Sequence, residues 1–456
     1  MDNDRGTINR YIALFYEPIR RQVSVKSTWV FVVIICTLVV AWALYRDMLA
    51  EKQYIGDLRN RVVGARLQKD GLMPYFYKWK KGDGIRYYDP DNFDSLQAAN
   101  ITASPFFHYL LYPIADWRQR TINNLWLIAE YASLFLLVLI SLLLTRTHQQ
   151  QWLVIGTGCF FLLTEAWKMH IGNGQNYIFI PLLAMVFYYC LSNKRSWFLT
   201  FLAGTCAVAI VLIKPSAVLF LLPFLLVLKK YSGVYLALLL MPLLIAVVWI
   251  ISGSREIMLW KQYKENITQQ IKAHQQQSPV MQVNEPDPHF TEWEGIDMKA
   301  IDRQTQLHPV PIFSENGNFF VLARMVFHKN INTKTLFIIA CCCMVLALLL
   351  FYNRHNATGF SLPALALIGF ALFMILDLFS PVYRHQYYGV QWLFPLLLGA
   401  AVYRPVDKKI YVLLAAGMLL NIVNIRFVPM EHTMGEYIML VAIIVLSLRR
   451  ETANIQ

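Results

Sequence analysis

Val30-Phe31-Val32-Val33-Ile34-Ile35 sits inside an apolar run over residues 28–45, and that run gives way to Gly56-Asp57-Leu58-Arg59-Asn60-Arg61. A span takes about 20 apolar residues to cross the hydrocarbon, so 28–45 reads as the first membrane helix. An acid among arginines at the membrane edge is costly to keep without a use, and ionisable groups in such places are functional candidates by default. Asp57 therefore reads as a base held at the membrane surface, facing a lipid-borne substrate. Ile55, Leu58, Val62 and Ala65 recur near helical spacing, which predicts a short amphipathic helix lying in the outer interface. Asp57 opens that helix, and Asp70-Gly71 reads as its end and turn.

The rest of the chain repeats the apolar theme. The composition is 57% hydrophobic and 15% charged, with mean hydropathy +0.43. That is the balance of a membrane protein, not of a soluble globule. About twelve spans follow from the apolar runs: 28–45, 123–145, 150–166, 176–192, 196–213, 215–229, 231–252, 335–352, 359–379, 386–403, 409–425 and 433–448. The expected fold is all-α, one polytopic membrane domain over 1–456. Residues 1–27 form its cytoplasmic N-terminus, and 46–122 and 253–334 are its two long outer loops. The first 27 residues are too polar for the apolar core of a cleavable signal peptide.

Short-loop Lys and Arg set the orientation. Arg5, Arg10, Arg20, Arg21 and Lys26 fall on the same side as Arg146, Lys194, Arg195, Lys229, Lys230, Arg354, Arg404, Lys408, Lys409, Arg449 and Arg450. The other short loops hold only Lys168, Lys214, Arg384 and Arg426. Both termini are thus expected in the cytoplasm. The net charge of +13 is a topology signal, and nucleic acid is not an expected partner. Short cytoplasmic loops and the lack of a retention signal point to a bacterial inner membrane, with the site on the periplasmic side. The seven cysteines all lie in apolar runs, which argues against disulfides and thiolate zinc sites.

Basic residues that break the charge rule stand in unusual contexts. Lys168 precedes Gly172-Asn173-Gly174-Gln175-Asn176, Lys214 precedes Pro215, and Arg384 lies in Tyr383-Arg384-His385-Gln386-Tyr387. Arg recognises phosphate bidentately and His adds a second donor, so the last cluster suits an anionic leaving group. An aromatic belt with one headgroup contact reads equally from its tyrosines, and snorkelling to lipid phosphate accounts as well for Lys214 and Arg426. Gln175 and Asn176 suit sugar hydroxyls or a phosphate at a helix N-terminus, or an ordinary cap.

The first outer loop is aromatic and basic around Tyr75, Tyr77 and Trp79. Asp89-Pro90-Asp91 has the hard oxygens of a metal site, but a proline between aspartates in such a loop is more often a turn. The second outer loop is rich in Gln and reads as polar, with Trp260, Tyr263 and Trp293 able to stack on sugar rings or as part of a linker.

These motifs together resemble the GT-C superfamily of integral-membrane glycosyltransferases. The resemblance is to family 87, which includes polyprenyl-phosphate-mannose-dependent mannosyltransferases. It is carried by Asp57 after the first span, Gly64-Ala65-Arg66-Leu67 with Asp70-Gly71 and Pro74-Tyr75, Gly174-Gln175-Asn176, and Lys214-Pro215. The C-terminal half matches only in hydropathy and in having a basic outer motif. The resemblance implies an interfacial helix in the first outer loop, a cavity open to the outer leaflet, a donor sugar on polyprenyl phosphate, Asp57 as general base, and no metal or other cofactor.

The expected reaction is an inverting transfer of mannose, or another hexose or pentose, to a lipid or glycan acceptor. Asp57 takes the acceptor proton. Arg384, His385, Lys214 and Lys168 hold the donor phosphate. Gln175, Asn176, Tyr75, Tyr383, Tyr387, Arg59 and Arg61 position sugar or acceptor. Arg59 and Arg61 fit equally a structural ion pair with Asp57. A transporter or flippase of lipid-linked sugars is the rival from another class. It needs ionisable groups near mid-bilayer, for which Asp377 and Glu130 are the candidates. A glycan ligase or polymerase of similar topology and a non-enzymatic scaffold are the others.

Overall fold

A computed structural model of the chain describes residues 27–51, 56–89, 101–193, 196–227, 232–276, 294–295, 317–329, 331–356, 359–380, 384–403, 408–422 and 430–449. Tyr383, Asp91, Trp293, Arg426 and the basic residues of the N-terminus lie outside them. Every regular element among the described residues is helical. The α-helices are α1 (Ser27–Glu51), α2 (Gly56–Lys69), α3 (Pro105–Leu111), α4 (Gln119–Leu144), α5 (His148–Phe161), α6 (Glu165–Asn173), α7 (Phe179–Ser192), α8 (Trp197–Ile213), α9 (Ser232–Gln276), α10 (Phe319–Phe327), α11 (Thr333–His355), α12 (Leu362–Phe379), α13 (Leu393–Val402), α14 (Lys408–Leu420) and α15 (Glu431–Ser447). The longer 3-10 stretches are Pro215–Val227 and Gln386–Trp392.

A helix stands wherever an apolar run was read. By length and composition, however, among the described residues only Val32–Leu49, Gln119–Leu144, Thr333–His355 and Leu362–Phe379 are long and apolar enough to cross a membrane. Phe179–Ser192, Trp197–Ile213 and Pro215–Val227 are apolar but shorter. The run expected over 150–166 breaks at Thr164, whose hydroxyl accepts from Trp167 N and restarts the chain as α6. Pro215 opens the 3-10 stretch and Pro223 lies within it, where proline supplies no backbone donor and crowds the preceding turn.

α12 is the centre of the bundle, with 94% of its apolar window buried. It packs against α7, α11, α13, α15 and the 215–227 stretch. Close approach there depends on small residues: a Cβ on Gly369 would lie 2.2 Å from the Phe220 carbonyl oxygen. Gly417 and Gly435 similarly let α14 and α15 touch backbone to backbone, the small-residue packing typical of membrane helices. Outward-facing Val33, Leu38, Trp42, Phe135, Ile338 and Leu349 are exposed, as lipid-facing side chains are.

α1 is tied to the bundle at its end. The buried Asp47 carboxylate accepts from Tyr131 Oη at 2.7 Å, Trp167 Nε1 at 2.8 Å and Arg46 Nε at 2.8 Å.

α2 begins at Gly56, carries Asp57 in its first turn, and ends where Asp70 and Gly71 (φ +86°) turn the chain. This much follows the sequence expectation. The expected burial in the lipid interface does not. Leu58, Val62 and Ala65 pack on Phe107, Leu111, Ile122 and Trp126, while Val63 and Leu67 pack on Tyr75, Ile101 and Leu259. Both sides of the helix are covered by protein, because residues 255–266 and Glu294 close over it. α9 kinks at Gly253 (φ +63°, ψ −155°) and continues as helix to Gln276. That extension bonds to the first loop through Arg255 Nη2 to Gln68 O at 2.5 Å, Tyr109 Oη to Glu256 Oε2 at 2.7 Å, and Asn266 Nδ2 to Ile101 O at 2.9 Å.

Gly64 marks the tightest contact of α2. A Cβ there would lie 2.5 Å from His108 Nε2 and 2.9 Å from Ile101 Cγ2. His108 cannot swing away freely, since Gln68 Oε1 holds its Nδ1 at 3.0 Å. Gly64→Ala gains about 1 kcal/mol of helix propensity and loses about 1–3 kcal/mol to overpacking. A lower unfolding midpoint in detergent is expected. A midpoint at or above wild type would mean that His108 yields.

Candidate active site

The carboxylate of Asp57 stands at the N-terminus of α2, where the helix dipole favours negative charge. Gln175 Nε2 donates to Asp57 Oδ2, and the Tyr387 hydroxyl also hydrogen-bonds this carboxylate. Arg61, one turn along α2, donates from Nη2 to Gln175 Oε1 and from Nη1 to Gly174 O at 3.3 Å. A single amide thus bridges carboxylate and guanidinium. Its place is fixed locally. Gly174 (φ +60°) closes α6, Gln175 N donates to His170 O at 3.0 Å, and Trp126 Nε1 donates to Gln175 O at 3.0 Å.

Asp57 is half-buried between the buried Gly56 and Leu58. Surrounding protein pushes its proton affinity above the ordinary carboxylate value. The Arg61 charge and the bonds from Gln175 and Tyr387 oppose that rise without cancelling it. Arg61 Nε is buried with no hydrogen-bond partner among the described residues.

Tyr387 leads to a second cluster. Its ring stacks on Tyr177 (5.7 Å between centroids, 16°), on Tyr388 (5.2 Å, 17°) and on His385 (4.6 Å, 19°). Lys214 Nζ lies over Tyr388 at 4.4 Å, Phe373 at 5.1 Å and Tyr177 at 5.2 Å, within the range of cation–π attraction. The same ammonium pairs with Asp377 Oδ1. Arg384 Nε donates to Asp377 Oδ2 at 2.9 Å, and its Nη1 and Nη2 grip Glu436 at 2.6 and 2.5 Å. Trp392 Nε1 adds a bond to Glu436 Oε2 at 2.7 Å. Lys214 and Arg384 are thus matched by Asp377 and Glu436, and the cluster is charge-neutral when all four are ionised.

The structure therefore brings Asp57, Arg61, Gln175, Tyr387, His385, Lys214 and Arg384 into one connected region, with Asn176 buried next to Gln175. Other expected residues stand elsewhere. Tyr75 is fully buried, its hydroxyl donating to Ala103 O at 2.9 Å and its ring lying against His108 and Tyr263. It has no ring face left for a sugar. Arg59 is also fully buried, donating to Glu294 Oε2 at 2.7 Å, Tyr88 O at 2.7 Å and Ile85 O at 2.6 Å. Its charge fastens the second loop to α2, and it does not pair with Asp57. Lys168 is 40% exposed at its side chain and pairs with Glu165 at 2.8 Å, outside the connected region. Asp89 turns inward to Asn60 Nδ2 at 3.1 Å.

The sequence reading passed over Glu436, Tyr177, Tyr388 and Trp126. Glu436 had a signal, because an acid inside the last apolar run is expensive there without a partner. The aromatic residues had none beyond their type.

Residues 102–283 match the family model described as Glycosyltransferase family 87, which supports a membrane glycosyltransferase. The resemblance carried by the N-terminal motifs points to this same family 87, of the GT-C type. The matched segment contains Gln175 and Lys214, and it begins beyond Asp57 and ends before Arg384. No curated protein sequence matches the chain. Among solved structures, the oligosaccharyltransferase of Archaeoglobus fulgidus in the apo form is similar at a TM-score of 0.40 and 11% identity, over 92% of this chain and 57% of that one. The chain thus spans little more than half the length of that structure.

Breaking one partner out of a buried ion cluster leaves an uncompensated charge and costs about 3–5 kcal/mol. Glu436→Gln is expected to lower the thermal midpoint in detergent and the yield of folded protein. An unchanged midpoint would show that Arg384 is satisfied by Asp377 alone.

Proposed function

We propose that the chain transfers a sugar from a polyprenyl-phosphate donor to a hydroxyl of a lipid or glycan acceptor, on the outer face of the membrane, with Asp57 as the general base. One observation carries the reading. An acid of raised proton affinity is held by Gln175, Arg61 and Tyr387, from three separate parts of the chain, while part of its surface stays accessible.

In this mechanism Asp57 accepts the proton of the acceptor hydroxyl as its oxygen attacks the anomeric carbon. The bond from that carbon to the phosphate oxygen breaks, and the lipid phosphate leaves with the electron pair. Attack opposite the leaving group inverts the configuration. Lys214 is the cation for the phosphate. Asp377 is shared between Lys214 and Arg384, so Arg384 retains it when the ammonium turns to a new anion. Arg384 itself, with both its edges on carboxylates, acts by holding Asp377. His385, stacked on Tyr387, lies on the same side. Mannose is the first sugar to offer, and the assay is to be run with and without EDTA. The transporter reading is less well supported, since Glu130 and Asp377 both have close partners, in His170 and Lys214.

General base catalysis contributes about 10²–10⁴-fold. Purified protein in nanodiscs, given radiolabelled polyprenyl-phosphate-mannose and a mixed lipid extract, is expected to transfer sugar, and Asp57→Asn to lose activity by that factor while remaining folded. The sign of the pH dependence follows from the raised carboxyl. The base form disappears as pH falls through its pKa, so activity falls on the acid side at a pH above the usual carboxylate value of about 4. A folded Asp57→Asn protein with full transfer activity would sink the assignment.

A further inference from the structure

Behind the candidate base, two ionisable side chains stand in the bundle interior without a part in the mechanism above. Glu130 on α4 is 1% exposed and His170 on α6 is 0% exposed. His170 Nε2 lies 2.7 Å from Glu130 Oε2. When Glu130 is ionised its carboxylate only accepts, and Nε2 is then the donor. Glu130 Oε1 and His170 Nδ1 have no partner among the described residues. A buried pair left partly unsatisfied is less stable than apolar residues filling the same space, so packing alone does not account for it.

The position of the pair does. His170 and Glu130 bracket the turn that carries Gln175. The His170 carbonyl accepts from Gln175 N at 3.0 Å. Trp126, one turn before Glu130 on α4, donates to Gln175 O at 3.0 Å and also reaches Glu130. Arg61 lies within electrostatic reach of Glu130 and of Asp57. The Arg61 charge thus acts on both carboxylates. The other groups facing Arg61 are Tyr177, Tyr387 and Tyr388 from the aromatic layer, and His108 from α3. Burial pushes the His108 imidazole down to about 3, so it adds no charge.

We propose that Glu130 and His170 are positioning residues that set the proton affinity of Asp57 through Arg61. The proposal rests on Asp57 being the base. The Glu130 charge draws Arg61 partly away from Asp57, and it is itself a negative neighbour of that acid. Both effects favour the protonated form of Asp57 and so make it a stronger base. His170 keeps the Glu130 carboxylate turned to this task and fixes the Gln175 turn.

The test is the pH dependence of transfer from radiolabelled polyprenyl-phosphate-mannose. Glu130→Gln removes the charge and is expected to move the acid limb of the profile about one pH unit lower, with kcat falling and KM for the donor nearly unchanged. Glu130→Asp retains the charge and is expected to return the limb toward its wild-type position. Should Glu130→Gln not accumulate, the double variant Glu130→Met with His170→Phe fills the space without buried polar atoms. It is expected to shift the limb in the same direction. A folded variant with reduced kcat and an unmoved limb would reduce the pair to a structural role and overturn the proposal. Full transfer by Asp57→Asn overturns the underlying reading instead, and that measurement does not involve Glu130.

Discussion

The side-chain amide of Gln175 donates to the Asp57 carboxylate and accepts from the Arg61 guanidinium. Flipping the amide would face oxygen to carboxylate and NH₂ to guanidinium, so its orientation is locked by the charges on either side. The rest of the region depends on this clasp. α2 contributes the acid and the arginine four residues apart, on one face of a helix. α6 ends at Gly174 so that Gln175 can reach them, and α4 pins the Gln175 backbone with Trp126. Displacing any one of these elements takes away the amide that links the acid to its counter-charge.

Two ionic arrangements of different character flank the aromatic layer. The one around Asp57 is open: the carboxylate is partly accessible, and Arg61 retains a buried donor with no partner among the described residues. The one around Arg384 is closed: two cations, two carboxylates and the Trp392 N–H satisfy each other in the interior. Bringing four charges out of water is favourable only with such near-complete pairing. Its return is preorganisation. Lys214 is held over three aromatic rings at a defined depth, with its partner shared by a second cation. Exchange of one anion for another at Lys214 then requires little rearrangement.

The sequence was most legible where one residue type has one meaning. Long apolar runs put the helices at their observed positions, although turns at Thr164 and prolines at Pro215 and Pro223 leave several of them short. Asp57, Gln175, Lys214 and Arg384 stood out because they combine an ionisable or amide group with the edge of an apolar run. That Arg61 rather than Arg59 accompanies Asp57 was not legible. Both lie near it in sequence, and only helical phase together with a carboxylate from the second loop, Glu294, draws Arg59 away. Tyr75 was misread for a related reason. A tyrosine in an aromatic outer loop looks the same whether it meets a sugar or the ring of Tyr263. The fold decides that through contacts between residues far apart in sequence, to which composition is blind.

That same closure of the second loop restricts how the site can work. Buried Arg59 and Arg66 both bind Glu294, at 2.7 and 3.0 Å, and apolar clusters cover α2 on either side. A helix held this way cannot carry its acid toward a substrate without exposing two guanidiniums and both apolar faces at once. Moving α2 is therefore far more costly than bringing the substrate to it. In the proposed mechanism the acceptor hydroxyl reaches the accessible edge of Asp57, and the leaving phosphate lies on the side of the aromatic layer where Lys214 stands. The geometry between base and cation is set by folding rather than by binding. Under the proposed mechanism, such a preorganised site would gain its rate from fixed charges that need not reorient as the bond breaks.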